Sequence, residues 1–146
     1  MENRISIYKL EPAAYDAMLV LENYGKKTEV SPILKELIKI RASQINGCAY
    51  CIDMHTEDAL KIGETARRIF LLSAWREAPV FTEQERIVLQ LTEEVTLISK
   101  GGLTDETYKK VIGYFGEKTT AQLIMLIVII NSWNRIAVST KSVFKK

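Results

Sequence analysis

Residues 31–63 read SPILKELIKIRASQINGCAYCIDMHTEDALKIG, and this stretch decides the fold. Ser31–Pro32 is an N-cap followed by a proline at the first helical position, which predicts a helix through about Ile45. Asn46–Gly47 predicts the end of that helix, and a further helix begins at Cys48. The stretch therefore predicts two helices joined by a tight turn.

The same helical punctuation continues outward from this stretch. Further predicted helices begin at Pro12, about Glu64, the Thr82/Glu85 capping box, Thr104–Asp105, and Thr119 or Thr120. The first four of these helices end at Gly25 with Lys26–Lys27, at Arg76, at Gly101–Gly102 and near Gly116, and the helix from Cys48 ends near Gly63. No segment alternates Val, Ile or Thr between hairpin turns. The sequence predicts an all-α, compact bundle of six to seven helices forming a single domain over residues 1–146.

Composition limits the class of protein. The chain has 146 residues, 47% of them hydrophobic, which is enough to form a core without disulfides or a structural metal. A net charge of +2 is too mild for a dedicated nucleic-acid binder. Residues 1–10 lack a signal-peptide core, and the most apolar stretch, 121–130, is shorter than the ~20 residues of a membrane helix. We therefore expect a cytoplasmic protein with no membrane or nucleic-acid partner.

The last predicted helix is apolar around its whole circumference from 123 to 130. Such a helix is either enclosed by the bundle or covered by another subunit, and the pattern leaves both readings open. After this run come Asn131, Trp133, Asn134 and Arg135, which we interpret as a structural network or an interface, with a catalytic role as the alternative. Trp75 is expected in the core.

Cys48, Cys51 and His55 lie three and four residues apart, so they share one side of a helix at its beginning. The positive end of the helix dipole favours a thiolate there. Cys-X-X-Cys in this place is typical of one nucleophilic and one resolving cysteine. Two other readings remain: small buried hydrophobic residues, or half of a zinc site completed by His55 and a carboxylate.

Two charged residues of the preceding helix lie near or within its apolar arc. Glu36 falls at the edge of the arc, where burial would raise its pKa and make it a base. A solvated flanking glutamate is the alternative, and the residues alone favour it. Arg41 falls inside the arc, so we expect an ion pair with a carboxylate that the sequence does not identify.

The spacing Glu36-X11-Cys48-X2-Cys51-X3-His55 resembles the active-site motif of the alkylhydroperoxidase D (AhpD) family, within the carboxymuconolactone decarboxylase-like superfamily. Residues 130–135, INSWNR, are similar to a segment of the single-domain branch, so the resemblance extends from Glu36 to about Val138. It implies an all-helical fold, a homotrimer or homohexamer, and no metal or organic cofactor.

The resemblance also implies roles for the motif residues. Cys51 attacks a hydroperoxide, Cys48 resolves the sulfenic acid as a disulfide, and Glu36 is a general base acting through His55 and water. A lipoyl or thioredoxin-like dithiol supplies electrons, and a peroxiredoxin is a further partner. Tyr50 stands where the AhpD pattern has a second histidine, and a phenol does not titrate near neutrality. We therefore expect a slower proton relay and a substrate that need not be an alkyl peroxide.

Two other functions are compatible with parts of the pattern. A carboxymuconolactone decarboxylase-type enzyme would share the superfamily, but such members lack the redox cysteine pair. A non-catalytic, oligomeric thiol-redox sensor would form the disulfide and turn over poorly with any donor. The leading interpretation is an enzyme, a hydroperoxide-reducing dithiol oxidoreductase.

Overall fold

The computed structural model describes residues 4–143, and within them it has seven α-helices and no β-strand. The helices are α1 (Ile7–Leu10), α2 (Pro12–Lys27), α3 (Pro32–Asn46), α4 (Ala49–Lys61), α5 (Ala66–Leu71), α6 (Glu83–Thr96) and α7 (Asp105–Thr140). Short 3₁₀ turns follow α5, at Leu72–Ala74, and α6, at Ile98–Lys100. The prediction of an all-α bundle with six to seven helices is confirmed.

Helix α3 lies at the centre and packs against α4, α6 and α7. One hydrophobic cluster joins it to α6 and α7 through Val30, Leu34, Ile38, Ala42, Val88, Leu91, Val111, Leu123, Leu126, Ile127 and Ile130. A second cluster joins it to the segment after α4 through Leu37, Ile40, Ala59, Ile69, Leu72, Trp75, Ala78, Phe81 and Leu89. Glu36, Lys39 and Ser43 recur at helical spacing and belong to neither cluster. The two clusters therefore leave one polar stripe on a largely enclosed helix.

Helix α2 begins at Pro12 as predicted and ends at Lys27, the last residue of the predicted stop at Gly25 with Lys26–Lys27. Gly25 is buried inside the helix, and a Cβ there would lie 3.1 Å from Ile129 and 3.3 Å from Leu126. The missing side chain lets α2 approach α7 closely. The preceding short helix α1 was not predicted.

The last two predicted helices form one long helix, α7, with a break at Gly116. Gly116 has φ 76° and ψ 171°, a backbone conformation that is essentially restricted to glycine. The break is confined to this one residue, so the helix continues directly after it. The expected cap at Thr119 or Thr120 is therefore wrong, and the Thr120 hydroxyl instead donates to the Gly116 carbonyl at 2.7 Å.

The segment predicted as a helix from Glu64 to Arg76 is shorter than expected. Helix α5 ends at Leu71, and a 3₁₀ turn follows. This tighter winding puts residues three apart above one another. Leu72 and Trp75 are spaced this way and both enter the second cluster, as expected for Trp75.

The apolar part of α7 is partly enclosed by the bundle. Leu123, Ile127 and Ile130 are buried in the first cluster, whereas Val128 is 39% exposed. Among the described helices, α7 alone is long and apolar enough to cross a membrane by length and composition, a property that core helices share. Its packing against α3 and α6 accounts for the apolar residues on its buried side.

Candidate functional site

The turn between α3 and α4 positions the cysteine pair. Gly47 adopts a left-handed conformation with φ 66°, as the predicted helix stop requires. The N–H of Cys48 donates to the Ser43 carbonyl at 3.0 Å, and the N–H of Gly47 donates to the Gln44 carbonyl at 3.3 Å. These two bonds form a Schellman motif, which satisfies the last carbonyls of α3. Cys48 consequently becomes the N-cap of α4.

Cys48 and Cys51 form a disulfide with Cα atoms 5.3 Å apart. The Cys48 sulfur also accepts a hydrogen bond from the N–H of Cys51 at 3.3 Å. Both residues are buried, with 1% and 2% exposure. Tyr50 is partly buried and packs against this pair together with Ala137 of α7. In the reduced protein, free N–H groups in the first turn of α4 would favour a thiolate.

Glu36 and His55 form a buried pair beside the cysteines. Oε2 of Glu36 lies 3.0 Å from Nδ1 of His55, and the two residues are 9% and 6% exposed. The expectation of a solvated, flanking Glu36 is wrong, because α4 folds back over this face of α3 and covers the carboxylate. His55 lies one turn after Cys51 on the same helix, as the spacing predicted.

The ionisation of Glu36 differs from the expectation for a desolvated base. Burial raises the pKa of its carboxyl group, but the hydrogen bond with His55 and the Lys39 ammonium together outweigh burial. The pKa of Glu36 is therefore lowered rather than raised. An ionised carboxylate can only accept hydrogen bonds, so His55 donates through Nδ1, and in the neutral ring Nε2 is the nitrogen with a lone pair.

Lys39 extends the pair into a network that sequence reasoning missed. Its Nζ lies 3.1 Å from Oε1 of Glu36 and 3.7 Å from Oε1 of Glu22. Glu22 also accepts a hydrogen bond from Nε1 of Trp133 at 2.9 Å. The three-residue spacing from Glu36 was a signal for Lys39. Glu22 had no such signal, since only the packing of α2 brings it here.

The polar residues after the apolar run of α7 form a structural network, which is one of the interpretations given for them above. Nδ2 of Asn46 donates to Oδ1 of both Asn131 and Asn134 at 2.9 Å. Nδ2 of Asn134 in turn donates to Oγ of Ser43 at 2.9 Å. These bonds attach the α3–α4 turn, and hence the cysteine pair, to α7.

The expected ion pair of Arg41 is confirmed and its partner is Glu93 of α6. Nη2 of Arg41 lies 2.8 Å from Oε1 of Glu93. Glu93 also accepts a hydrogen bond from Nε1 of Trp75 at 2.7 Å and pairs with Arg76 at 2.6 Å. This cluster joins α3, α6 and the turn after α5, and none of its residues lines the cavity described next.

A cavity of about 810 Å³ opens beside the motif residues. It lies between α1, α2, α3, α4 and α7, and its wall includes Glu36, Tyr50, Cys51 and His55. A volume of this size is typical of sites for small molecules. The structure thus brings Cys51, His55 and Glu36 to one wall, whereas Cys48 lies behind Cys51.

One group of side chains near the motif has the donor atoms of a metal site. Ligand atoms of Glu36, His55 and Asp58 lie within 4.8 Å of one another. Lys39, however, holds the other oxygen of Glu36. This positive charge disfavours a cation at the same carboxylate.

Comparisons with known proteins agree with this architecture. The model of the carboxymuconolactone decarboxylase family matches residues 12–94. The uncharacterized protein YdfG of Bacillus subtilis (strain 168) is 43% identical over 139 residues, which cover 95% of each chain.

Solved structures share the fold over most of the chain. A protein of unknown function from Agrobacterium tumefaciens, described as a candidate antioxidant defence protein AhpD, has a TM-score of 0.95 and 39% identity over 99% of both chains. The debrominase Bmp8 has a TM-score of 0.82 and 19% identity, covering 94% of this chain and 74% of its own. At that identity the likeness to Bmp8 concerns the fold alone.

Proposed function

The chain belongs to the carboxymuconolactone decarboxylase family, and from this premise we propose that it is a thiol-dependent hydroperoxide reductase of the AhpD type. The observation that carries the proposal is the Cys48–Cys51 disulfide, with Cys51 and the Glu36–His55 pair on the wall of one cavity. A decarboxylase-type reaction gives no role to a cysteine pair in this place.

The proposed chemistry transfers two electrons from the cysteines to the peroxide. The Cys51 thiolate attacks one peroxide oxygen, the O–O bond breaks, and the other oxygen leaves as an alcohol after taking up a proton. Cys51 is then a sulfenic acid. The Cys48 thiolate attacks the Cys51 sulfur and expels the hydroxyl group, which leaves as water with one proton. One hydroperoxide and two thiols thus give one alcohol, one water and the disulfide.

Cys51 is assigned the attacking role because it lines the cavity and Cys48 does not. His55 also lines the cavity and has Nε2 available to take the thiol proton and return it to the leaving oxygen. The ionised Glu36 fixes the ring through Nδ1 and stabilises the imidazolium that forms. In this scheme Glu36 is a positioning residue and His55 is the base.

The proposed electron donor is a dithiol that enters the cavity. It attacks the disulfide, leaves Cys48 and Cys51 reduced, and itself becomes a disulfide. Because the cysteines are only 1% and 2% exposed, a lipoyl group or a small dithiol fits this access better than the surface of a thioredoxin-like protein. A peroxiredoxin remains a proposed further acceptor.

The test is the intact mass of the reduced protein before and after a stoichiometric dose of cumene hydroperoxide. The wild type should lose about two daltons as both thiols become a disulfide. Cys48→Ser should gain about sixteen daltons as the sulfenic acid accumulates, whereas Cys51→Ser should keep its mass. The chain has two cysteines, so each variant isolates one thiol.

Other outcomes separate the rival functions. An unchanged wild-type mass with both thiols still titratable would exclude peroxide as the oxidant. A disulfide that forms once but is not reduced repeatedly by dihydrolipoamide would indicate a redox sensor. Multiple turnovers with both peroxide and dihydrolipoamide present would support the enzyme.

A further inference from the structure

The cavity is lined by both reactive and apolar side chains. Cys51 and His55 are the reactive ones. The lining also includes large apolar and aromatic side chains, among them Tyr15, Leu19, Met54, Ile129 and Trp133. A hydroperoxide with an organic group therefore fits the cavity better than hydrogen peroxide does, because a small polar molecule would leave these side chains in contact with water.

The positive charges of the cavity are unevenly compensated. Lys39 is paired with both Glu36 and Glu22. Lys35, one turn earlier on α3, also lines the cavity and has no carboxylate within ion-pairing distance among residues 4–143. Its ammonium donates to the carbonyls of Lys26 at 3.0 Å and Thr28 at 3.1 Å.

Those two bonds leave one of the three ammonium N–H groups of Lys35 for another acceptor. Burial, and second the charge of Lys39, lower the pKa of the half-buried Lys35, so its positive charge is poorly compensated by its surroundings. Lys26, exposed at the end of α2, lines the same cavity and likewise has no ion pair within the described residues. An anion bound beside Lys35 and Lys26 would relieve the repulsion between Lys35 and Lys39.

We propose that the substrate is an organic hydroperoxide that carries a carboxylate, and that Lys35 binds this carboxylate while the peroxide faces Cys51. This inference rests on the proposed function and narrows its substrate class. Lys35 is about 6 Å along the helix axis from Lys39, at the rise of 1.5 Å per residue. The carboxylate is a spectator, so the reaction balance above is unchanged.

The experiment compares two substrates that differ in one charge: cumene hydroperoxide with a para-carboxylate, and the methyl ester of the same compound. The readout is the rate of disulfide formation in the reduced wild type at low ionic strength. The acid should react about tenfold faster than the ester, the gain expected from one hydrogen bond to a charged group.

Substitutions of Lys35 test whether this residue causes the preference for the acid. In Lys35→Gln the ratio of the two rates should fall close to one, although the amide still has donors for the carbonyls of Lys26 and Thr28. Lys35→Arg should keep the preference. The matched control is Lys27→Gln, an exposed lysine next to Lys26 that does not line the cavity, and it should keep the wild-type ratio. An unfolded chain would also react with the two compounds at similar rates, so the ratio is taken only from variants whose circular dichroism spectrum matches that of the wild type.

Two results would overturn the inference separately from the proposed function. Equal rates for acid and ester in the wild type, or a preference that survives Lys35→Gln, would exclude the carboxylate anchor and leave peroxide reduction intact. If neither compound forms the disulfide while dithiol exchange with the protein still proceeds, the proposed function fails and the substrate assignment fails with it.

Discussion

At the scale of single residues, the charge of Glu36 depends on its neighbours more than on its burial. A buried carboxylate alone would take up a proton more readily, but Lys39 and His55 lower its pKa. The carboxylate is therefore ionised at neutral pH and fixes the tautomer of His55. Because folding lowers this pKa, the ionised Glu36 carboxylate increases the free energy of unfolding at a pH above the ordinary pKa of a glutamate. This contribution is lost as the pH falls through the lowered pKa.

Replacing Lys39 by methionine should raise the pKa of Glu36. The aliphatic part of the side chain stays, while the ammonium that lies 3.1 Å from the carboxylate is removed. The carboxyl group should therefore titrate at a higher pH than in the wild type. The measurement is the carboxyl ¹³C shift of Glu36 as a function of pH in the oxidised protein, in which the cysteines do not titrate.

Lys61→Met is the control, because Lys61 is an exposed residue of α4 that pairs with Glu57. It should leave the titration of Glu36 unchanged. If Lys39→Met also leaves the titration of Glu36 unchanged, Lys39 does not control the charge of this carboxylate.

At the scale of helices, the break in α7 sets how the apolar segment meets the rest of the bundle. The residues before Gly116 pack against the first cluster through Val111, and those after it cross α3 and α2. The backbone at Gly116 has a conformation that a side chain makes costly. The glycine is therefore needed for its conformation, since a Cβ would have open space around it.

Gly116→Ala should destabilise the protein by roughly 1–3 kcal/mol. Gly113→Ala is the matched control three residues earlier, at an exposed, helical position where a Cβ would also meet nothing within 4 Å. It should stabilise the protein by about 1 kcal/mol, the helix propensity of alanine over glycine. Urea unfolding followed by circular dichroism measures both. Equal effects of the two substitutions would contradict a conformational role for Gly116.

At the scale of the whole molecule, α7 has an apolar stripe that the chain itself covers only in part. Ile124, Met125 and Val128 are spaced along one side of the helix, and each keeps partial exposure. A contiguous apolar patch of this kind typically marks contact with another molecule. We propose that a second copy covers it in the homotrimer or homohexamer that the family resemblance implies.

Val128→Arg should therefore reduce the oligomer to smaller species, because assembly would bury an unpaired charge. The fold should persist, since Val128 is 39% exposed in the single chain. Phe70→Arg, at a 78% exposed position on α5, should leave the assembly intact. Light scattering after size-exclusion chromatography gives the masses. A monomeric wild type, or an oligomer indifferent to Val128→Arg, would exclude this interface.

Local rules in the sequence predicted much of the fold. The proline at Pro32, the glycine at Gly47 and the capping box at Thr82 act through bonds within a few residues, so the starts of α3 and α6 and the α3–α4 turn lie where expected. The same locality placed Cys48, Cys51 and His55 on one side of α4. The helical pattern marked Glu36 as a candidate base but favoured a solvated side chain, and the family resemblance favoured a role in the site.

Tertiary structure decided what depends on residues distant in the chain. The solvent exposure of Glu36 depends on how α4 packs over α3, and its charge depends on Lys39 as well as burial. Glu22, Trp133 and the carboxylate that pairs with Arg41 come from helices whose approach no short-range pattern encodes. The sequence by itself determined most of the helices and the spacing of the cysteine motif, because these depend on residues close together in the chain. The protonation state of Glu36 and the shape of the cavity depend on how the helices pack, so only the tertiary structure decided them.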